Sequence, residues 1–205
     1  MRMPSRPSTP TRRAPQQDRS ARRVRAFLDA SEALFAEVGF QATTMTAIAE
    51  RAGSSIGALY SYFPDKKTLA VALLDIHASR IEQHWKPLFD QVTEISAAAF
   101  SEQFLARFLD FIQANPSYLQ LQAAPVPLRR SAAAKRAFRA TLVDALRRRV
   151  PSLTAESAHL RAGVLLQIVR GMMHLYADAA ASERIPIQLE FQTLMTVYLE
   201  AVFAA

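Results

Sequence analysis

From residue 18 onward, apolar residues return at intervals of three and four, and no segment sustains the alternation of a half-buried strand. The pattern predicts an all-α chain. Its first helix is the clearest, with Val24, Phe27, Leu28, Ser31, Leu34, Phe35 and Val38 on one face and Gly39 closing it. Two short helical pieces follow. Thr43 or Thr44 caps the first, in which Met45, Ile48, Ala49 and Ala52 share a face, and Gly53 supplies a left-handed stop. Ser54 or Ser55 caps the second, with Ile56, Leu59, Tyr60 and Phe63 turned inward or sideways. Pro64 breaks it, and Asp65 caps the next helix. A supporting helix followed by helix, glycine-containing turn and helix is the order of a helix-turn-helix motif.

Downstream the same spacing predicts a helix from about Lys66 towards Pro87 and another over roughly Ala97 to Ala114, with a short piece after Pro116. Pro125 and Pro127 precede a basic helix, about Arg129 to Val150, that Pro151 stops. Thr154 caps a long segment to about Ser182, and Pro186 opens the last helix. The longest uncharged run, Phe111 to Leu128, holds three prolines, three glutamines and an asparagine, so it predicts no membrane span.

Charge changes the picture at one end. Residues 1–25 hold eight arginines against Asp18 alone, which accounts for the whole net charge of +7. Residues 1–17 also carry prolines at 4, 7, 10 and 15 and no hydrophobic period, and are expected to be a disordered Arg/Pro-rich arm. Prolines at that spacing oppose the amphipathic helix of a transit peptide, and the first 23 residues lack the apolar stretch of a secretory signal. The arm suggests a polyanionic partner, either nucleic acid or acidic lipid. With no cysteine and four scattered histidines, thiol chemistry is excluded and a metal site is not expected. No phosphate loop or nucleophile motif is present, so the chain does not read as an enzyme and needs no cofactor.

Between residues 39 and 69 the wording is more specific: Gly39-Phe40, Thr43-Thr44-Met45, Ile48-Ala49, Ala52 to Ser55, Gly57, Leu59 to Pro64, Lys66 and Leu69. This resembles the DNA-binding domain of the tetracycline-repressor (TetR) family of bacterial transcriptional regulators. The resemblance implies a helix-turn-helix domain over 18–65 and a helical effector-binding and dimerisation domain over 66–205. It also implies DNA contacts from Thr44, Ser54, Ser55, Ile56, Gly57, Ala58, Tyr60, Ser61, Tyr62 and Lys66, with Tyr60, Tyr62, Thr44 and Lys66 on phosphates. Ser54, Ser55, Gly57 and Ala58 are small enough for a helix to lie close in a major groove. The family often has lysine at position 56 and threonine at 58. Ile56 and Ala58 therefore shift readout towards thymine methyls and DNA shape, or Ile56 is a core residue. Residues 26–66 hold five acids against two bases, so Arg22, Arg23 and the arm must supply the attraction to DNA.

For the second domain the resemblance implies effector binding and dimerisation. Phe104, Phe108, Phe111, Tyr118, Phe138 and Met173 are the apolar pocket candidates, with Gln167, Arg170 and His174 to orient a ligand; the same Phe stripe also reads as plain core. Dimer contacts are expected from Leu160, Gly163, Val164, Ile168, Gly171, Leu194, Tyr198 and Val202. The implied protein is a cytoplasmic, homodimeric repressor that binds a pseudo-palindromic DNA operator and is released by an apolar or amphipathic effector. The alternatives are a DNA-binding regulator without an effector, and a membrane-surface or interaction module using the basic arm.

Overall fold

The computed structural model describes residues 14–128 and 132–204, and among these the chain is all-α. The order is α1 (Ala14–Ala42), α2 (Met45–Arg51), α3 (Ile56–Tyr62), α4 (Lys66–Asp90), α5 (Ala97–Ala114), α6 (Pro116–Gln122), α7 (Ala132–Arg149), α8 (Ala155–Asp178) and α9 (Ala181–Phe203).

Local chemistry fixes most of these ends. Thr44, Ser55, Asp65, Ser96 and Thr154 each accept the backbone N–H three residues on, which satisfies an otherwise orphaned donor. Each such cap stabilises its helix by about 1 kcal/mol. Thr43 does not cap, and its hydroxyl donates back to the Gly39 carbonyl at 2.7 Å. Gly39 (φ +76°) breaks the helical path of α1, and Gly53 (φ +62°) stops α2 in the left-handed region that glycine enters without strain.

Four boundaries differ from the sequence reading. α1 begins at Ala14, so residues 14–17 are helical rather than part of a disordered arm. Pro15 lies in the first turn, where a missing N–H has no intrahelical partner to lose. Residues 1–13 lie outside the described residues. The helix α4 runs through Pro87 to Asp90. α8 stops at Asp178, and α9 starts at Ala181 instead of at Pro186. The Glu183 carboxylate takes the Ala180 N–H at 2.9 Å and so caps the helix before the proline, whose own lost hydrogen bond falls on an exposed face.

One core runs the length of the molecule. At the amino-terminal end Phe27, Phe35, Ile48, Leu59, Phe63 and Leu69 bring α1 to α4 together. Further along, Trp85, Phe89, Phe100, Phe104, Phe108 and Phe111 make an aromatic seam between α4 and α5, and α1 lies along α6.

Candidate nucleic-acid interface and effector cavity

The α2–turn–α3 unit is closed on its inner side and open on its outer one. Leu59 and Phe63 are buried, whereas Ser55, Ile56, Gly57, Tyr60 and Ser61 are exposed. Ile56, at 39% exposure, is not a core residue. A Cβ at Gly57 would meet nothing within 4 Å, so the protein's own packing does not demand a glycine there. The Ser55 and Thr44 hydroxyls accept from Ala58 N–H (3.2 Å) and Ala47 N–H (3.1 Å), which leaves each O–H proton free to donate outward. Ser54 and Ala58 are half-buried at the foot of this surface, and the Ser61 hydroxyl donates to the Ala58 carbonyl at 2.7 Å.

Tyr62 does more than present a hydroxyl. Its ring packs on Phe27 at 6.0 Å, and its oxygen accepts from Ser20 Oγ at 3.2 Å. That contact fastens the start of α1, which carries the exposed Arg22 and Arg23, to the end of α3. Lys66 departs from its expected place on a phosphate. Its ammonium donates to the carbonyls of Phe40 (2.6 Å), Gln41 (3.0 Å) and Thr43 (2.6 Å) and lies 4.6 Å from the Phe40 ring centroid. All three protons stay inside the chain, and burial lowers the lysine pKa.

The second site is a cavity of about 110 Å³ enclosed by α4, α5, α6, α7 and α8. Of the nine expected effector residues, Phe104, Phe108, Phe111, Tyr118, Phe138, Gln167, Arg170 and Met173 line it. His174 does not: it is exposed and lines an open depression on the far side of Arg170 and Met173. Sequence reasoning missed Trp85, Ile81, Leu166, Val169 and Arg139 in the wall. Trp85 was the findable one, since the only tryptophan of the chain falls on the inward face of α4.

A family model described as bacterial regulatory proteins, tetR family, matches residues 27–73. A second, tetracyclin repressor-like, C-terminal domain, matches residues 96–199, about half of the chain. The chain belongs to the tetR family of bacterial regulators. The HTH-type transcriptional repressor KstR of Rhodococcus jostii (strain RHA1) is 42% identical over 64 residues, which are 31% of this chain and 30% of that protein. KstR of Mycobacterium tuberculosis (strain ATCC 25618 / H37Rv) is 42% identical over 60 residues, 29% of this chain and 27% of its own length. The matched stretch is thus less than a third of these relatives. A putative TetR-family transcriptional regulator from Mesorhizobium loti MAFF303099 has the same fold, with a TM-score of 0.63 at 22% identity over 91% of this chain and 97% of that one. So does the transcriptional regulator FadR from Bacillus subtilis in complex with stearoyl-CoA, with a TM-score of 0.58 at 13% identity over 84% and 97%.

In this tetR-family chain a polar cluster ties α1 to α4 and to the junction of α5 and α6 beside the cavity. Both Glu32 carboxylate oxygens of α1 take the Arg80 guanidinium of α4, and Arg80 also donates to Asn115 Oδ1 at 2.9 Å, where α5 meets α6. Burial opposes the Glu32 charge, but the Arg80 hydrogen bond and charges together hold its carboxyl below the usual range. His77 is fully buried beside them, with Nε2 3.0 Å from Ser117 Oγ and 3.7 Å from Glu32 Oε1. Its ring packs edge-on against Tyr118 of the cavity wall at 5.5 Å between centroids.

Burial pushes the His77 pKa down to about 4; Glu32 pulls it up and Arg80 pushes it further down. Between roughly pH 6.5 and 4 the unfolded chain therefore takes up a proton that the folded one refuses. Stability is lost as pH falls through that window, by roughly 3 kcal/mol in total, and this contribution levels off below it. Urea midpoints at pH 7 and 4.5 should show a clearly smaller acid loss in His77→Gln than in the unaltered protein.

The last two helices of this family member leave an apolar face uncovered. Leu160 and Val164 of α8 and Leu189, Leu194 and Val197 of α9 are exposed, and a Cβ at Gly163 would meet nothing within 4 Å. Ile168 and Tyr198 are half-buried beside them. One expected interface residue faces elsewhere: Val202 is buried in the protomer's own core. Gly171 is half-buried, and a Cβ there would meet the Phe191 ring of α9 at an ordinary contact distance of 3.8 Å, so packing within the chain does not demand a glycine.

Proposed function

We propose that the protein is a cytoplasmic, homodimeric transcriptional repressor that binds a pseudo-palindromic DNA operator through α3. Release follows when a small apolar or amphipathic effector fills the cavity. The observation that carries this reading is the outer face of α3, where small residues, hydroxyls with a free proton and the exposed Ile56 and Tyr60 stand clear of internal packing. A protein surface of that shape suits close approach to base edges and phosphates. The KstR relatives, which are transcriptional repressors, and the family match over residues 27–73 support it. The stearoyl-CoA in the FadR complex supports an amphipathic occupant for the bundle.

The connection between sites is physical. Tyr118 of α6 lines the cavity, α6 lies against α1, and the Glu32–Arg80–Asn115 cluster ties α1 to α4 and to the start of α6. A ligand that displaces Tyr118 therefore favours a different α1–α6 packing. In that arrangement two recognition helices no longer match successive major grooves, which is a shift of population between two arrangements. Selection from a pool of random duplexes tests the reading: an inverted repeat with half-sites about one helical turn apart, or a multiple of it, supports it. A pool that shows no enrichment contradicts it.

The arginine arm contributes phosphate contacts in the same reading. Deleting residues 1–13 removes Arg2, Arg6, Arg12 and Arg13 but leaves α1 intact. Its expected result is weaker DNA binding at low salt and a shallower salt dependence, by up to about four in the log–log slope per protomer. Equilibrium titrations at four salt concentrations would show it, and an unchanged slope would remove the arm from the interface.

A further inference from the structure

Three spaces, a polar one followed by two apolar ones, are strung along one side of α8. Outermost is the open depression of about 630 Å³ that holds His174; next comes the aromatic cavity of about 110 Å³; innermost is a void of about 20 Å³. Arg170 and Met173 line both of the first two, and Phe104 and Phe138 line both of the last two. From His174 to Leu165, which lines the void, the helix rise gives roughly 13 Å. The central cavity is smaller than the ~150 Å³ cavity that takes up benzene, so a larger ligand must extend along this row.

Charge along the row has one sign. Arg139 and Arg170 line it, and among the described residues no aspartate or glutamate does. Arg139 has a partner in His159 Nε2 at 3.2 Å. Arg170 is exposed and makes no ion pair with any described residue. It stands at the junction between the polar outer space and the aromatic inner one. A free guanidinium at such a boundary is complementary to a carboxylate, and a cationic ligand would be repelled.

We propose that the effector is an elongated amphipathic acid whose hydrocarbon portion enters the aromatic cavity while its anionic group is held by Arg170 at the outer end. This rests on the effector reading of the cavity. It adds a charge requirement that the apolar walls alone do not impose.

Trp85 reports on the site directly, because it is the only tryptophan of the chain, lines the cavity and is 3% exposed. Its emission is to be titrated with decanoate, decan-1-ol and decylamine, and the same ligands added to the DNA complex. Decanoate should bind at least about tenfold more tightly than the alcohol, with the amine weakest, and should release DNA first. Arg170→Gln should bring decanoate down to the level of the alcohol. Equal affinities for acid and alcohol, with DNA released by both, would overturn the anionic proposal and leave the effector reading standing. A preference for the acid that survives Arg170→Gln would overturn the assignment to Arg170. No change in Trp85 emission and no DNA release with any of the three would overturn both readings.

Discussion

Replacing Leu194 and Val197 together by aspartate should turn the protein into a monomer in solution and lower its affinity for an operator about 100-fold or more. Both side chains are about half exposed in the single chain, at 49% and 59%, so the substitutions leave the protomer's own core untouched. They place two carboxylates on α9, which with α8 carries the exposed Leu160, Val164 and Leu189. Two like-charged pairs brought together across a symmetric contact would oppose association by several kcal/mol. The loss of DNA affinity follows from the proposed reading, in which the seven-residue α3 takes one half-site and a second half-site contributes only while two protomers are joined. Sedimentation velocity reads the mass, and fluorescence anisotropy on the same samples reads the affinity. A double variant that remains a dimer would show that α8 and α9 meet something other than a second copy.

Lys66→Met should lower the melting temperature by about 5–15 °C, from a loss of about 2–4 kcal/mol, while leaving the salt slope of DNA binding unchanged. The ammonium closes the end of α1 and the link to α2 by filling three carbonyls that have no other donor in its place. Hydrogen bonds to a charged group are worth more than neutral ones, and the methionine leaves the part-buried Phe40 and Thr43 oxygens without a protein donor. Methionine keeps the apolar contact with Phe40, so the change isolates the hydrogen bonds. A lysine acting on phosphate would give the opposite pattern, with stability held and the salt slope reduced by about one per protomer.

The Lys66 case shows what a sequence cannot carry. The partners of its ammonium lie 23 to 26 residues upstream, in a helix end whose path depends on the φ of Gly39, and no local pattern announces that closure. Ends set by neighbours in the chain were readable: Asp65 and Thr154 cap as their positions suggest, and Gly53 stops α2. Pro186 misled because a proline at a helix start is common, whereas here Glu183 had already begun the helix. In the bundle, the phenylalanines at helical spacing on α5 do gather round one space, since their common face follows from the period. Which residues of α8 join them depends on the rotation of α8 against α4 and α7, and that rotation turns His174 out of the cavity. Val202 turns into the protomer's own core, and a helix that is apolar on most sides does not say which side meets its own bundle. The Glu32–Arg80–Asn115 cluster joins residues up to 83 positions apart and left no sequence signal at all.

The central claim is that paired α3 helices read a specific site on DNA. Footprinting of the purified protein on fragments flanking its own gene, at several salt concentrations and beside a scrambled duplex, tests it most directly. The account predicts one preferred fragment, protected over two half-sites related by two-fold symmetry, with a preference that persists as salt weakens overall binding. Equal and steeply salt-dependent binding to every duplex, without a bounded footprint, would contradict it and leave only the charge of the arginine arm.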